Sequence, residues 1–137
     1  MCLNTMEVKT DTKEKFTVMR VETPQLSANM AADLNRQLLE LLKGTPNNVV
    51  LNLSGVKSIN EEAAESLVRT QQKFYENNAS MVMCELNSDV EDFLDSKDLL
   101  ELINVTPTES EAADIVQMEE IERELLDEEK DVDGENE

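Results

Sequence analysis

A chain of 137 residues has room for one domain and an appendage, not for two hydrophobic cores. Asp and Glu number 31 against 12 Lys and Arg, a formal charge of −19, which disfavours nucleic acid and anionic lipid and favours a basic protein surface as partner. His is absent and the two Cys stand at positions 2 and 84, so Ser-His and Cys-His chemistry and a His/Cys zinc site are excluded.

Residues 1–15 are polar and lack the apolar core of a signal peptide, and no run approaches the ~18 apolar residues of a membrane span. A cytoplasmic chain without direct membrane insertion is expected. Residues 7–12 and 16–21 read as strands joined by a polar turn at Thr12-Lys13-Glu14-Lys15. Thr23-Pro24 interrupts, and Ser27 or Asn29 can cap a helix running to about Lys43, with Met30, Leu34, Leu38 and Leu41 on one face. Gly44, Thr45 and Pro46 end it.

The nearly continuous apolar run at 49–53 suits a central strand covered on both faces. Ser54-Gly55 turns the chain, and Asn60 caps a second helix carrying Ala64, Leu67, Val68, Gln71 and Phe74 on one side. Asn77-Asn78 closes that helix, and Met81-Val82-Met83-Cys84 forms the next buried strand. A short helix over about 89–97 turns Val90, Phe93 and Leu94 inward, and residues 102–105 read as a last strand. Thr106-Pro107-Thr108 opens a final helix whose apolar stripe is Ala112, Ile115, Met118, Ile121 and Leu125. Cys84 reads as a small buried hydrophobe, and the methionines as gap-filling core residues.

Acidity is concentrated at the end of the chain: between Glu109 and Glu137 fourteen acids face two bases, so −12 of the −19 lies there. Residues 1–6 are read as an N-terminal extension, 7–126 as one domain and 127–137 as a disordered acidic tail. The alternation implies an α/β fold with a mixed sheet of about four to five strands packed with about four helices. In such sheets the loops after the strands are the usual place for a site, which directs attention to 54–60.

The run Val49-Val50-Leu51-Asn52-Leu53-Ser54-Gly55-Val56-Lys57-Ser58-Ile59-Asn60 resembles the STAS family, whose best-known members are bacterial anti-anti-sigma factors. There a strand like Val-Leu-Asp-Leu-Ser-Gly-Val leads to Asp-Ser-Ser/Thr-Gly-Leu at a helix start. Residues 81–90 resemble that family's fourth strand and short helix. Residues 99–105, with Pro107-Thr108-Glu109-Ser110-Glu111-Ala112-Ala113, resemble its final strand and helix opening.

The resemblance implies a non-catalytic, cofactor-free and metal-free regulatory domain. Such domains dock, unphosphorylated, on an anti-sigma factor with serine-kinase activity and are released when the second residue of the Ser-Ser/Thr pair is phosphorylated. Laid on that motif, Asn60 stands at the Asp, Glu61 at the first Ser, Glu62 at the phosphoacceptor, Ala63 at the Gly and Ala64 at the Leu. The hydroxyl is therefore absent; Ser58 and Ser66 lie nearby but do not match the motif. Glu62 places a permanent charge where relatives regulate one; one interpretation is a fixed mimic of the phosphorylated, released state, the other that it lets the domain hold a different target. An acid in a first helical turn is also simply favoured, by about 0.3–1 kcal/mol. Ala63 adds a methyl where relatives keep none, expected to hinder close approach of the usual partner.

The expected partner surface is thus Ser54, Lys57, Ser58, Asn60, Glu61, Glu62, Ala63 and Ser66, on a monomer. The partner would be an anti-sigma factor or a serine kinase-like regulator. Two alternatives stay open: a small-ligand or nucleotide sensor using Ser54, Lys57, Ser58, Asn60 and Asn87, or a subunit of a larger transport or signalling assembly tethered by its acidic end.

Overall fold

A polar turn returns the chain on itself between β1 (Val8–Thr12) and β2 (Thr17–Val21), with Lys13 N donating to Phe16 O at 2.8 Å. The computed structural model describes the backbone over residues 8–136 and side chains over residues 8–126. The extension expected at 1–6 and the acidic tail expected at 127–137 lie outside the described side chains. The hairpin is antiparallel, Val8 opposite Val21. Its outer strand β1 carries charged Lys9 and Asp11, which blunt a sheet edge against further pairing.

β2 then pairs in parallel with β4 (Val49–Asn52), β4 with β6 (Met81–Cys84), and β6 with β7 (Val105–Thr106). The result is a mixed five-stranded sheet of order β1-β2-β4-β6-β7. Successive strand residues point to opposite faces. Met19, Val21, Val49, Leu51, Met81 and Met83 join one apolar cluster with α1 (Ala28–Leu42), α2 (Glu61–Glu76) and α3 (Ser88–Ser96). Phe16, Val18, Val50, Val82 and Cys84 join a second cluster with Ala112 and Val116 of α4 (Glu109–Asn136). Helices therefore cover both faces, which is why residues 49–53 and 81–84 carry no polar alternation.

Two features were not anticipated. Gln25–Leu26 (β3) and Ser58–Ile59 (β5) form a small parallel sheet of their own where loop was expected. The predicted strand at 102–105 is a 3-10 turn, Leu100–Leu102, followed by the two-residue β7. Gln71 explains the second difference: its amide nitrogen donates to Leu102 O at 3.4 Å and its oxygen accepts from Asn104 N at 3.0 Å. A side chain thus occupies backbone groups that a neighbouring strand would have taken.

The predicted stripe of α4 also needs correction. Ala112 and Val116 are buried and Ile115 packs beside them, but Met118, Ile121 and Leu125 face away from the sheet. Polar contacts set that rotation. Arg123 donates to Asn48 Oδ1 at 2.9 Å and to Ser80 Oγ at 3.1 Å, and Asn48 Nδ2 donates to Glu120 Oε1 at 3.0 Å. Tyr75 OH donates to Glu119 Oε1 at 2.9 Å. Positions 116, 120 and 123 share a helix face, so anchoring the polar pair turns 118, 121 and 125 outward. Of the methionines, Met19, Met81 and Met83 are core, Met30 is half-buried and Met118 is exposed. Among the described residues no helix is long and apolar enough to cross a membrane, and no buried side-chain N or O lacks a hydrogen-bond partner.

Candidate functional site

The loop after β4 is braced from three sides. Asn52, at the end of β4, accepts from Ser54 N at 2.9 Å, and Val56 N donates to Leu53 O at 2.9 Å, closing a tight turn. Gly55 sits at the tip against β2: a Cβ there would lie 2.6 Å from Val21 O and 2.9 Å from Glu22 Cα, so only glycine permits this approach. On the other side Lys57 N and Ser58 N donate to Pro24 O at 2.7 and 3.1 Å, and Asn60 N donates to Leu26 O at 3.2 Å. Asn87, from the loop after β6, donates its amide to the carbonyls of Ser54 and Val56.

Asn60 caps α2, its side-chain oxygen accepting from Ala63 N at 2.8 Å. It thereby satisfies one of the N–H groups that the first helical turn leaves unpaired. Glu61 and Glu62 follow in that first turn, both exposed, where the positive end of the helix dipole favours negative charge. Glu61 lies 3.8 Å from Lys97 of the α3 C-cap, a solvent-screened pair that contributes little. Glu62 lines an open groove of about 240 Å³ between α1 and α2 with Ala28, Ala32, Glu65, Ser66 and Arg69.

Ser54, Lys57, Ser58, Asn60, Glu61 and Glu62 therefore share one exposed surface at the junction of loop and helix. One expected member does not belong to it, and a second, Ser66, is half-buried in the groove beside Glu62. Ala63 is fully buried, so its methyl faces the core and not an approaching partner. Ser66 is held between helices, its hydroxyl donating to Ala63 O at 2.7 Å and accepting from Asn35 Nδ2 at 2.8 Å. Thr70 Oγ1 donates to the other end of the same Asn35 amide at 2.7 Å, completing an α1–α2 staple. Sequence reading missed Arg69, although it lies seven positions after Glu62 and hence on the same helix face.

Next to the loop, Glu109 of α4 accepts from Asn52 Nδ2 at 2.8 Å and from Arg20 Nε and Nη2 at 3.1 and 2.8 Å. Burial pushes the Glu109 pKa up, but the hydrogen bonds from Asn52 and Arg20 outweigh it and hold the carboxyl below its ordinary value. Glu85, at a left-handed φ of 58°, accepts from Glu109 N at 3.0 Å and fastens the start of α4 to the loop after β6. Thr108 Oγ1 accepts from Glu111 N at 3.2 Å, capping the helix there, and donates to Glu111 Oε1 at 3.0 Å.

Glu61 and Glu62 are neighbours about 100° apart on a helix and do not flank a common substrate position. Among the described residues no three His, Cys, Asp or Glu side chains are grouped so as to hold a metal ion.

The sequence profile of the STAS domain matches residues 7–112. Among solved structures, an anti-sigma factor antagonist from Mycobacterium paratuberculosis aligns with a TM-score of 0.71 at 15% identity, over 85% of this chain and 97% of that one. A Thermotoga maritima protein assigned as an anti-sigma factor antagonist aligns at 0.67 and 21% identity, over 80% and 94%. The murine anion transporter Slc26a9 contains a similar unit, at 0.65 and 12% identity, over 79% of this chain and 18% of the transporter. A comparison with curated protein sequences gives no match. At these identities the structural likenesses establish the fold.

Proposed function

The chain belongs to the STAS domain family, and from that premise we propose that it is a non-catalytic regulatory module that binds a protein partner without being switched by phosphorylation. The observation that carries this reading is the exposed Glu62 carboxylate in the first turn of α2, on a loop fixed by backbone hydrogen bonds to Pro24 and Leu26. Relatives regulate charge at this position by modifying a hydroxyl; a phosphoserine brings about −1.5 to −2 charges. Glu62 supplies a permanent −1 that no kinase or phosphatase removes, about half the charge of a phosphoserine, so it fixes the surface without imposing the released state.

The surrounding hydroxyls support the same reading. Ser66 is half-buried and its hydroxyl is engaged, donating to Ala63 O and accepting from Asn35 Nδ2. Ser58 is exposed but sits in β5, on the strand side of the capping residue Asn60, away from the helix dipole that favours a phosphate. The partner is an anti-sigma factor or a serine kinase-like regulator with a basic contact surface, matched to the charge of −19.

A pull-down with serine-kinase anti-sigma factors and labelled ATP tests the proposal, using the chain and Glu62→Ser side by side. The chain is expected to bind and take up no phosphate; Glu62→Ser is expected to bind and become phosphorylated. Binding by neither form, or phosphate uptake by the unmodified chain, overturns it.

A further inference from the structure

We propose that the outward face of α4 is a second docking surface, and that its occupant is a basic amphipathic helix of another protein. Met118, Ile121, Leu125 and Leu126 are 57%, 45%, 54% and 57% exposed, four large apolar side chains within nine residues of one helix. At about 100° per residue, Met118, Ile121 and Leu125 fall within about 60° of one another and opposite Val116, which packs on the sheet. The seam is thus continuous along two turns. The hydrogen bonds of Glu119, Glu120 and Arg123 to Tyr75, Asn48 and Ser80 prevent α4 from rolling to bury it.

Charge selects the occupant. Exposed Asp114 lies within the seam, with Glu111 and Glu122 along one side and Glu124 along the other. Residues 109–126 hold seven acids and one Arg. A second copy laid on this face would set these acidic flanks against each other, and like charges at such positions are destabilising. A helix with Leu-type residues at i, i+3, i+4 and i+7 and Lys or Arg on its flanks covers the seam and neutralises its rim. The surface is also on the opposite side of the sheet from α2, so it is separate from the Glu62 surface and its occupancy does not depend on how Glu62 is read.

The test uses the full chain and a labelled peptide of about 18 residues with Leu at i, i+3, i+4 and i+7 and Lys elsewhere. A scrambled peptide of the same composition and a Leu/Glu counterpart serve as comparisons at about 0.15 M salt. Expected results are binding of the patterned Leu/Lys peptide at least about ten-fold tighter than of the scrambled one, with amide shift changes along α4. The combined Met118→Ser, Ile121→Ser and Leu125→Ser variant, with an unchanged circular dichroism melt, is expected to lose that preference, and Gln72→Ser to keep it. Equal binding of the scrambled peptide, shift changes away from α4, or a triple variant that melts normally and still discriminates overturns the proposal. So does a dimer by light scattering that the triple variant dissolves, contacts from residues 1–7 onto Met118 in the free chain, or sedimentation of the chain with phosphatidylcholine vesicles that the triple variant abolishes.

Discussion

Asn60 and Glu62 divide the start of α2 between them, one by hydrogen bond and the other by charge. Removing the cap with Asn60→Ala is expected to lower stability by about 1 kcal/mol, read as a shift in urea midpoint, while Asn60→Asp restores most of it. An unshifted midpoint in Asn60→Ala would mean the cap hydrogen bond contributes nothing. Cys84 is the other informative residue. Burial, followed by the charges of Glu85 and Glu109, pushes its thiol up to about 12. Because the thiolate is the reactive form, the native chain is expected to leave Cys84 unlabelled by a thiol reagent at about pH 8 and to expose it only on unfolding. Rapid native labelling of Cys84 would contradict its placement. Both residues are legible in sequence: an Asn before a helical stripe, a Cys within an apolar run. The role of Ser66 is not, because its partner Asn35 is contributed by another helix 31 positions away.

At the scale of elements, the loop after β4 depends on close backbone approach and on a neutral amide. Gly55→Ala would force a methyl onto Val21 O and Glu22 Cα, backbone atoms that cannot swing aside. It is expected to cost about 1–3 kcal/mol, visible as a lower melting temperature. Asn52→Asp removes the donor to Glu109 and sets two carboxylates about a hydrogen bond apart. That variant is expected to be destabilised by about 1–3 kcal/mol at neutral pH, with the deficit shrinking in acid as one carboxylate protonates. A pH-independent deficit would show that lost packing, not charge, is responsible. The sequence marks Ser54-Gly55 as a turn, but not what the turn touches. The small β3–β5 sheet is invisible for a related reason: two residues carry no period, and pairing across more than thirty positions is set by where the fold brings them.

For the whole molecule, two opposing charge effects meet. The net −19 repels itself, so added salt is expected to raise the melting temperature at neutral pH. Against this, Glu109 and Glu120 are held below their ordinary value of 4.5 despite burial, Glu109 by Asn52 and Arg20 and Glu120 by Asn48 and Arg123. A depressed carboxylate contributes stability that is fully present above 4.5 and is lost as the pH falls through the folded-state values. Acid unfolding followed by circular dichroism is therefore expected to begin below that pH and to be shallower in Glu109→Gln, whose side chain no longer titrates. Identical acid limbs for the two proteins would remove Glu109 from this account.

Read alone, the sequence determined the alternation of strands and helices, the burial of 49–53 and 81–84, and the carboxylate at the α2 start. Each of these is written in neighbouring residues, as a period, a cap or a run. Which face of α4 meets the sheet, and whether Ala63 is surface or interior, was decided only by tertiary structure. An apolar stripe states that a helix has a side to bury; it does not state against what. In α4 the polar grip of Asn48, Ser80 and Tyr75 on Glu119, Glu120 and Arg123 outweighed the stripe, because those hydrogen bonds join residues far apart in the chain and bury polar atoms that would otherwise be unpaired.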